Sequence, residues 1–300
     1  MADPLRFAFN ASAAGVGARF HRIKSMEHHF LEHKEVDDDG DRGDQVDYVV
    51  PIQGASNLPV FGGLSESRVG PQSFKLERSG GRRALTLMSV GNVYTRAMSS
   101  HVNGSDQFSS EVEAHVYDLN FLDRIYIKYA AAKLTSSYPV KNPREDPNQV
   151  PHLKPELAVI EGLLLDGYPI TVKLNPKPFC DHPTYGVFRE KLPELRKKFP
   201  AQFGNPKRAE GPKSQNPTAI SVCSLVEKIE LNRAPKRKIR LSEDQRSIIF
   251  DGVGQLYFGE LFMAEDSRRL SVFRVAFGSD AAGAGGGPEV RGNGGPVIEN

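Results

Sequence analysis

The residues whose types and spacing come closest to a reactive centre are His29-Phe-Leu-Glu-His33. They fit H-x-x-E-H, the inverted zincin pattern. On a helix, positions four apart share a face. Both imidazoles would then reach one zinc, and Glu32 would activate its water. His28 and Glu35 add ligand types nearby. No downstream segment presents an obvious third ligand, so the plainer reading is a solvated polar segment. Asp37, Asp39 and Asp41 surround Gly40 as in a calcium loop. With Gly40 at position six, position twelve is Val46, which cannot coordinate. The stretch Asp37–Asp44 therefore reads as an acidic loop, and Arg42-Gly-Asp44 is too short to carry specificity.

Asp118, Asp123, Glu161 and Asp166 fall in an internal echo, where His115–Asp123 aligns without gaps on Ala158–Asp166. Carboxylates held close do acid–base work, but at strand ends they more often shape turns. Two stacked β units would produce such an echo, and so would two strand–turn–strand pieces of like composition. Arg233, Lys236, Arg237, Lys238 and Arg240 form the one basic cluster. No aromatic residues interleave for base stacking, so it reads as a charged turn guarding a sheet edge. Cys180 and Cys223 have no base beside them in sequence, and whether they pair is not decided by spacing. The chain has no phosphate-binding glycine loop, nucleophile elbow or dinucleotide fingerprint. No catalytic residues and no cofactor are assigned.

The 300 residues that must position these groups carry 39 Lys and Arg against 37 Asp and Glu, a net charge of +2. That balance argues against a dedicated nucleic-acid binder. No apolar run reaches the ~20 residues of a membrane-spanning helix. Asp3 and Pro4 occupy the place where a signal peptide carries positive charge. A cytoplasmic protein, or export without a cleaved signal, is the expectation. Asn10 and Asn103 begin glycosylation sequons, which carry little weight without a secretory signal.

The elements read mainly as β structure. Residues 5–24 form a strand, a bend at Gly15 and Gly17, and a second strand. A short polar helix is possible at 25–36. Strand pieces follow at 46–52 and 73–77. In 111–117, Val112, Ala114 and Val116 alternate with Glu111, Glu113 and His115, giving a sheet with one wet face. Ile125, Ile127 and Tyr129 continue that pattern. Residues 139–155 hold five prolines and read as a surface loop. Asp166-Gly-Tyr-Pro169 joins two apolar runs as a hairpin. Residues 184–203 have helical periodicity, with Thr184 as the cap and Pro193 dividing the segment into two helices. Residues 204–217 are an exposed connector, and further strands run from 219 to 277. Beyond Gly278 the glycine content predicts a mobile tail.

Pro51-Ile-Gln-Gly-Ala-Ser56, Asp166-Gly-Tyr-Pro-Ile-Thr-Val172, Cys223-Ser-Leu-Val226 and Phe258-Gly-Glu-Leu-Phe262 resemble an uncharacterised bacterial family related to sheet-rich "choice-of-anchor"-type surface proteins. The resemblance is scattered over residues 50–278. It implies an all-β structural or adhesive role and brings no catalytic residues. Members of the better-known group carry a signal peptide and an anchor, and neither is visible here.

The expected architecture is one β-rich domain over residues 1–278, with a helical insertion at 184–203 and a flexible tail over 279–300. Its antiparallel sheets are stacked or sandwiched, with a β-solenoid-like stack as the variant. The expected function is that of a non-enzymatic structural or interaction protein that self-associates through sheet edges or extended termini as a homo-oligomer. The alternatives are a ligand-binding β module and a zinc-dependent hydrolase built on His29, Glu32 and His33.

Overall fold

The computed structural model describes residues 7–20, 48–76, 84–101, 107–139, 150–203, 221–264, 267–278 and 283–296. Two antiparallel sheets account for most of them, and the expected mainly-β sandwich is what forms. The first sheet has eight strands. Its main path is β13 (Ile239–Leu241), β14 (Ser247–Phe250), β15 (Gly254–Met263), β16 (Ser267–Phe277), β17 (Gly283–Pro296), β1 (Phe7–Phe20) and β2 (Tyr48–Asn57). β11 (Ser221–Ser224) adds to the far half of β15. The second sheet has nine strands. Its path is β12 (Val226–Glu230), β10 (Tyr168–Leu174), β9 (His152–Leu165), β8 (Ile125–Pro139), β7 (Gln107–Phe121), β5 (Leu85–Val90) and β4 (Gln72–Leu76). β6 (Asn92–His101) continues β5 along β7, and β3 (Leu64–Val69) pairs with β6. Every pairing is antiparallel, so the β-solenoid variant does not apply.

One hydrophobic cluster fills the space between the sheets, where β1, β2, β16 and β17 pack on β6, β7, β8 and β9. Phe121 meets Phe273 at 6.1 Å and Phe277 at 6.3 Å, ring centre to ring centre. The seam is polar at one place. Buried Ser56 on β2 bonds the Thr95 hydroxyl of β6 at 2.8 Å. At the opposite side, Arg124 holds Asp166 through two bonds of 2.8 and 2.7 Å and lies 4.4 Å above the Phe250 ring of the first sheet.

Several elements depart from the sequence reading. The glycine-rich stretch taken as a mobile tail is β17, an interior strand hydrogen-bonded to β1 on one side and β16 on the other. Two full ladders offset the ordering entropy that the glycines would otherwise leave unbalanced. The small residues let backbones approach: a Cβ on Gly287 would collide with the Gly15 carbonyl. The core therefore extends past residue 278. β1 runs unbroken through Gly15, with a bulge near Gly17 instead of a chain reversal. β9 begins at His152, so the proline-rich loop is shorter than expected. Pro155 is accommodated where the β8–β9 register shifts.

The helical insertion joins β10 to β11. It comprises α1 (Lys177–Cys180), α2 (Tyr185–Lys198) and α3 (Pro200–Phe203). Thr184 caps α2 by accepting a bond from the Val187 amide. Pro193 does not divide α2, contrary to the sequence expectation. It lies on the solvent side, as does Arg189, whose carbonyl would have received the missing bond and is left on the face open to solvent. Phe179, Phe188 and Phe203 meet at 5.2–5.9 Å and fasten the three helices together.

Candidate functional site

A sheet ends in a row of unpaired amides and carbonyls, which is a template for another strand. Charged side chains are the usual protection. β13 carries Arg240 and follows Lys236, Arg237 and Lys238. β12 carries Glu227, Lys228 and Glu230. β4 carries Lys75, and β3 carries Glu66 and Arg68. β2 differs. Among the described residues it closes one side of the first sheet with β1 as its strand partner, and no charged residue occurs from Tyr48 to Leu64.

That segment is also apolar on its outside. Val49, Ile52, Val60, Phe61 and Leu64 are exposed, Phe61 by 82%. They make up five of the eight large exposed apolar residues found among the described residues, so the concentration is local. The ladder continues beyond β2, through Leu58 N–H to Ala11 O and Phe9 N–H to Val60 O, both 2.8 Å. The chain then turns at Gly62, whose amide donates to Pro59 O, and enters β3. Pro51 and Ile52 occupy the bulge opposite Gly17, a position that tolerates a residue without an amide hydrogen.

A trough of about 410 Å³ runs beside this edge on the outer face of the first sheet. Gly17 and Gly286 are partners in the ladder and form part of its lining, with Ile52 on one side and Arg274 on the other. Arg274 holds Glu260 through bonds of 2.7 and 2.9 Å and lies 4.0 Å over the Tyr257 ring. Glu289 also lines the trough, and burial raises its carboxyl above the ordinary range.

The outer face of the second sheet is polar and aromatic. Tyr94, His115 and Tyr129 form a cross-strand row, and the Arg68 guanidinium lies 5.2 Å over Tyr94. His115 Nδ1 is 2.9 Å from the Tyr129 hydroxyl, and its Nε2 is 3.5 Å from Glu113. Burial, followed by the influence of Tyr117 and of Glu161, raises Tyr129 above the usual phenol range. The group has acid–base residues, yet they are spread along neighbouring strands and satisfy one another. Tyr129 was expected on the face of Ile125 and Ile127, but it lies opposite them, beside His115.

The profile of a family described as a domain of unknown function (DUF8256) matches residues 7–264. The chain belongs to this family. The DUF8256 match starts with β1 and stops after β15, so β16 and β17 complete the first sheet from beyond it. No curated protein and no solved structure matches the chain.

In this DUF8256 chain His29, Glu32 and His33 lie outside the described residues, as do the acidic loop 37–44 and the proposed helix 25–36. Among the described residues, no group of three or more His, Cys, Asp or Glu is placed to hold a metal. The four acids of the echo do not converge. Asp118 accepts the Tyr126 hydroxyl, Asp123 accepts the Asn120 amide and Asp166 holds Arg124. The echo itself is spatial: β7 and β9 flank β8. Cys180 and Cys223 are both free thiols, pushed up to about 11 by burial. The basic cluster precedes and enters edge strand β13. No helix among the described residues is long and apolar enough to cross a membrane. Sequence reasoning did not single out β2 as a candidate edge, although its signal was present: seventeen consecutive uncharged residues, Tyr48 to Leu64, in a chain that is 25% charged.

Proposed function

We propose that the protein is a non-enzymatic interaction module that self-associates through β2, two copies pairing edge to edge about a two-fold axis. The observation that carries this reading is the exposed, uncharged and apolar edge from Tyr48 to Leu64. Antiparallel pairing of β2 with its own copy places the same strand on both sides. A strand with no charge meets no like-charge repulsion in that arrangement. The other described edges bear charges that would oppose such pairing or restrict its register. Association would cover Val49 and Ile52 and join the backbone ladders of two sheets.

Amide hydrogen exchange as a function of protein concentration tests this reading. Protection of residues 49–57 rises with concentration if β2 pairs with a second copy, while β3 and β13 stay unchanged. Protection of β2 that is identical from dilute to concentrated solution contradicts it.

A further inference from the structure

We propose that the protein binds a single sugar-acid residue on the outer face of the second sheet, its carboxylate on Arg68 of β3 and its ring against Tyr117 of β7. A depression of about 390 Å³ lies where the end of β3 meets the start of β6, with Arg68, Gly70, Asn92 and Tyr94 in its lining. Arg68 is directly opposite Tyr94 in the β3–β6 ladder. Asn92 is directly opposite Tyr117 on β7, and Tyr117 is opposite Tyr129 on β8. Residues paired in this way share a face of the sheet. Tyr117 is therefore the next side chain beyond Asn92.

The rings around the depression are already held. The Tyr94 hydroxyl donates to Glu66 at 3.2 Å, and the Tyr129 hydroxyl is 2.9 Å from His115 Nδ1. Tyr129 packs against Tyr117 at 4.9 Å, ring centre to ring centre. A ligand would thus meet side chains that are ordered before it arrives. Three groups are left for it. Tyr117 is 41% exposed. The Arg68 guanidinium is exposed, lies 5.2 Å over the Tyr94 ring and has no ion-pair partner among the described residues. Glu66, two residues before it on the same strand, is 3.5 Å from Arg96 instead. Asn92 is exposed, and its side-chain amide has no hydrogen-bond partner among the described residues.

One sugar acid uses all three groups. The guanidinium fork matches the two oxygens of a carboxylate, and Tyr94 beneath it restricts its orientation. The Asn92 amide both donates and accepts, as a ring hydroxyl does. The C–H bonds of a sugar ring carry partial positive charge and suit the negative face of the Tyr117 ring. The volume is near the lower end for ligand pockets, room for one small ring. Charge also selects against nucleic acid, although tyrosines could stack its bases. A phosphate chain laid along the tyrosines would meet Glu113, 3.5 Å from His115, and Glu161, directly opposite Tyr129.

The test is titration of the full chain with methyl glucuronide and with methyl glucoside, followed by saturation-transfer NMR on the sugar protons. The two probes differ only by a carboxylate in place of a hydroxymethyl group. The expected result is saturable binding of the glucuronide, about tenfold tighter than the glucoside, the scale of one charge-assisted contact. Arg68→Gln should remove that preference and leave the glucoside affinity unchanged. Tyr117→Ala should weaken both sugars roughly tenfold through the lost ring contact. Both substituted side chains are exposed, and circular dichroism checks that each variant is folded. No saturable binding of the glucuronide, equal affinity for the two sugars in the native chain, or native affinity in Tyr117→Ala would overturn the proposal. So would displacement of the glucuronide by a single-stranded oligonucleotide, which would assign the tyrosines to base stacking.

Discussion

Asp118 and Gly162 stand on either side of Lys128 across three adjacent strands, and both have left-handed backbones, with φ of 53° and 64°. The pairings on each side of this row keep one register. What changes is which residues face the core. On β7, Val112, Ala114 and Val116 are buried before the row, and Leu119 and Phe121 after it. On β8, Ile125 and Ile127 give way to Ala130 and Ala132. The same reversal occurs on β9, from Ala158 and Ile160 to Leu163 and Leu165. One transverse crease thus reverses three strands together, so that none is left presenting its polar face to the core.

The crease predicts a specific weakness. A Cβ on Gly162 would lie 2.6 Å from Lys128 Cβ, at a φ that only glycine adopts without strain. Gly162→Ala should cost about 1–3 kcal/mol. Urea unfolding measures it, and Gly186→Ala, on the exposed part of α2 with open space around it, serves as the comparison.

The crease also explains what the sequence did and did not disclose. Alternation of Val112, Ala114 and Val116 identified β7 as a strand with one wet face, and Asp166-Gly167 identified the β9–β10 hairpin. Extending the alternation through Ile125 and Ile127 to Tyr129 failed because a strand's period holds only between its irregularities. The glycine-rich residues 283–296 failed for another reason. Their order comes from two neighbouring strands, one of them nearly three hundred residues away in the chain, and local composition cannot show that. The edge β2 was legible as an uncharged segment, but its position at the end of a sheet was not.

The Arg124–Asp166 pair links a hairpin turn to the other sheet, since Arg124 also covers Phe250. Asp166→Ala should lower stability by about 1 kcal/mol, the scale for a well-formed, partly exposed pair. The loss should shrink in high salt. Chemical denaturation with urea, which adds no ionic strength, measures both effects.

Glu289 gives a pH signature. Burial raises its carboxyl in the folded chain above the unfolded value near 4.5, against a smaller opposing influence of Arg269 and Arg291. The folded state therefore holds this proton more tightly. Its contribution to stability is full below pH 4.5 and falls away as the pH rises through the raised folded value. Glu289→Gln should flatten that part of the stability curve, as followed by Tm from acidic to neutral pH. An unchanged curve would mean that the carboxyl is not desolvated in solution.

Both thiols are raised to about 11, and Cys180 also donates to Pro155 O at 3.3 Å. Thiolates are the reactive form. Neither cysteine should react appreciably with a disulfide reagent at neutral pH while the chain is folded, and both should react once it is unfolded in urea. Counting released thiolate with time separates the two states.

Light scattering on fractions eluted from a sizing column, over a range of loading concentrations, is the most direct measurement of edge association. The native chain should show a mass rising from 33.1 kDa towards a dimer. Ile52→Lys, which places a charge on the exposed edge, should hold it at the monomer without changing its circular dichroism. A native chain that remains monomeric at every concentration, or an Ile52→Lys variant that associates as the native chain does, would contradict self-association through β2.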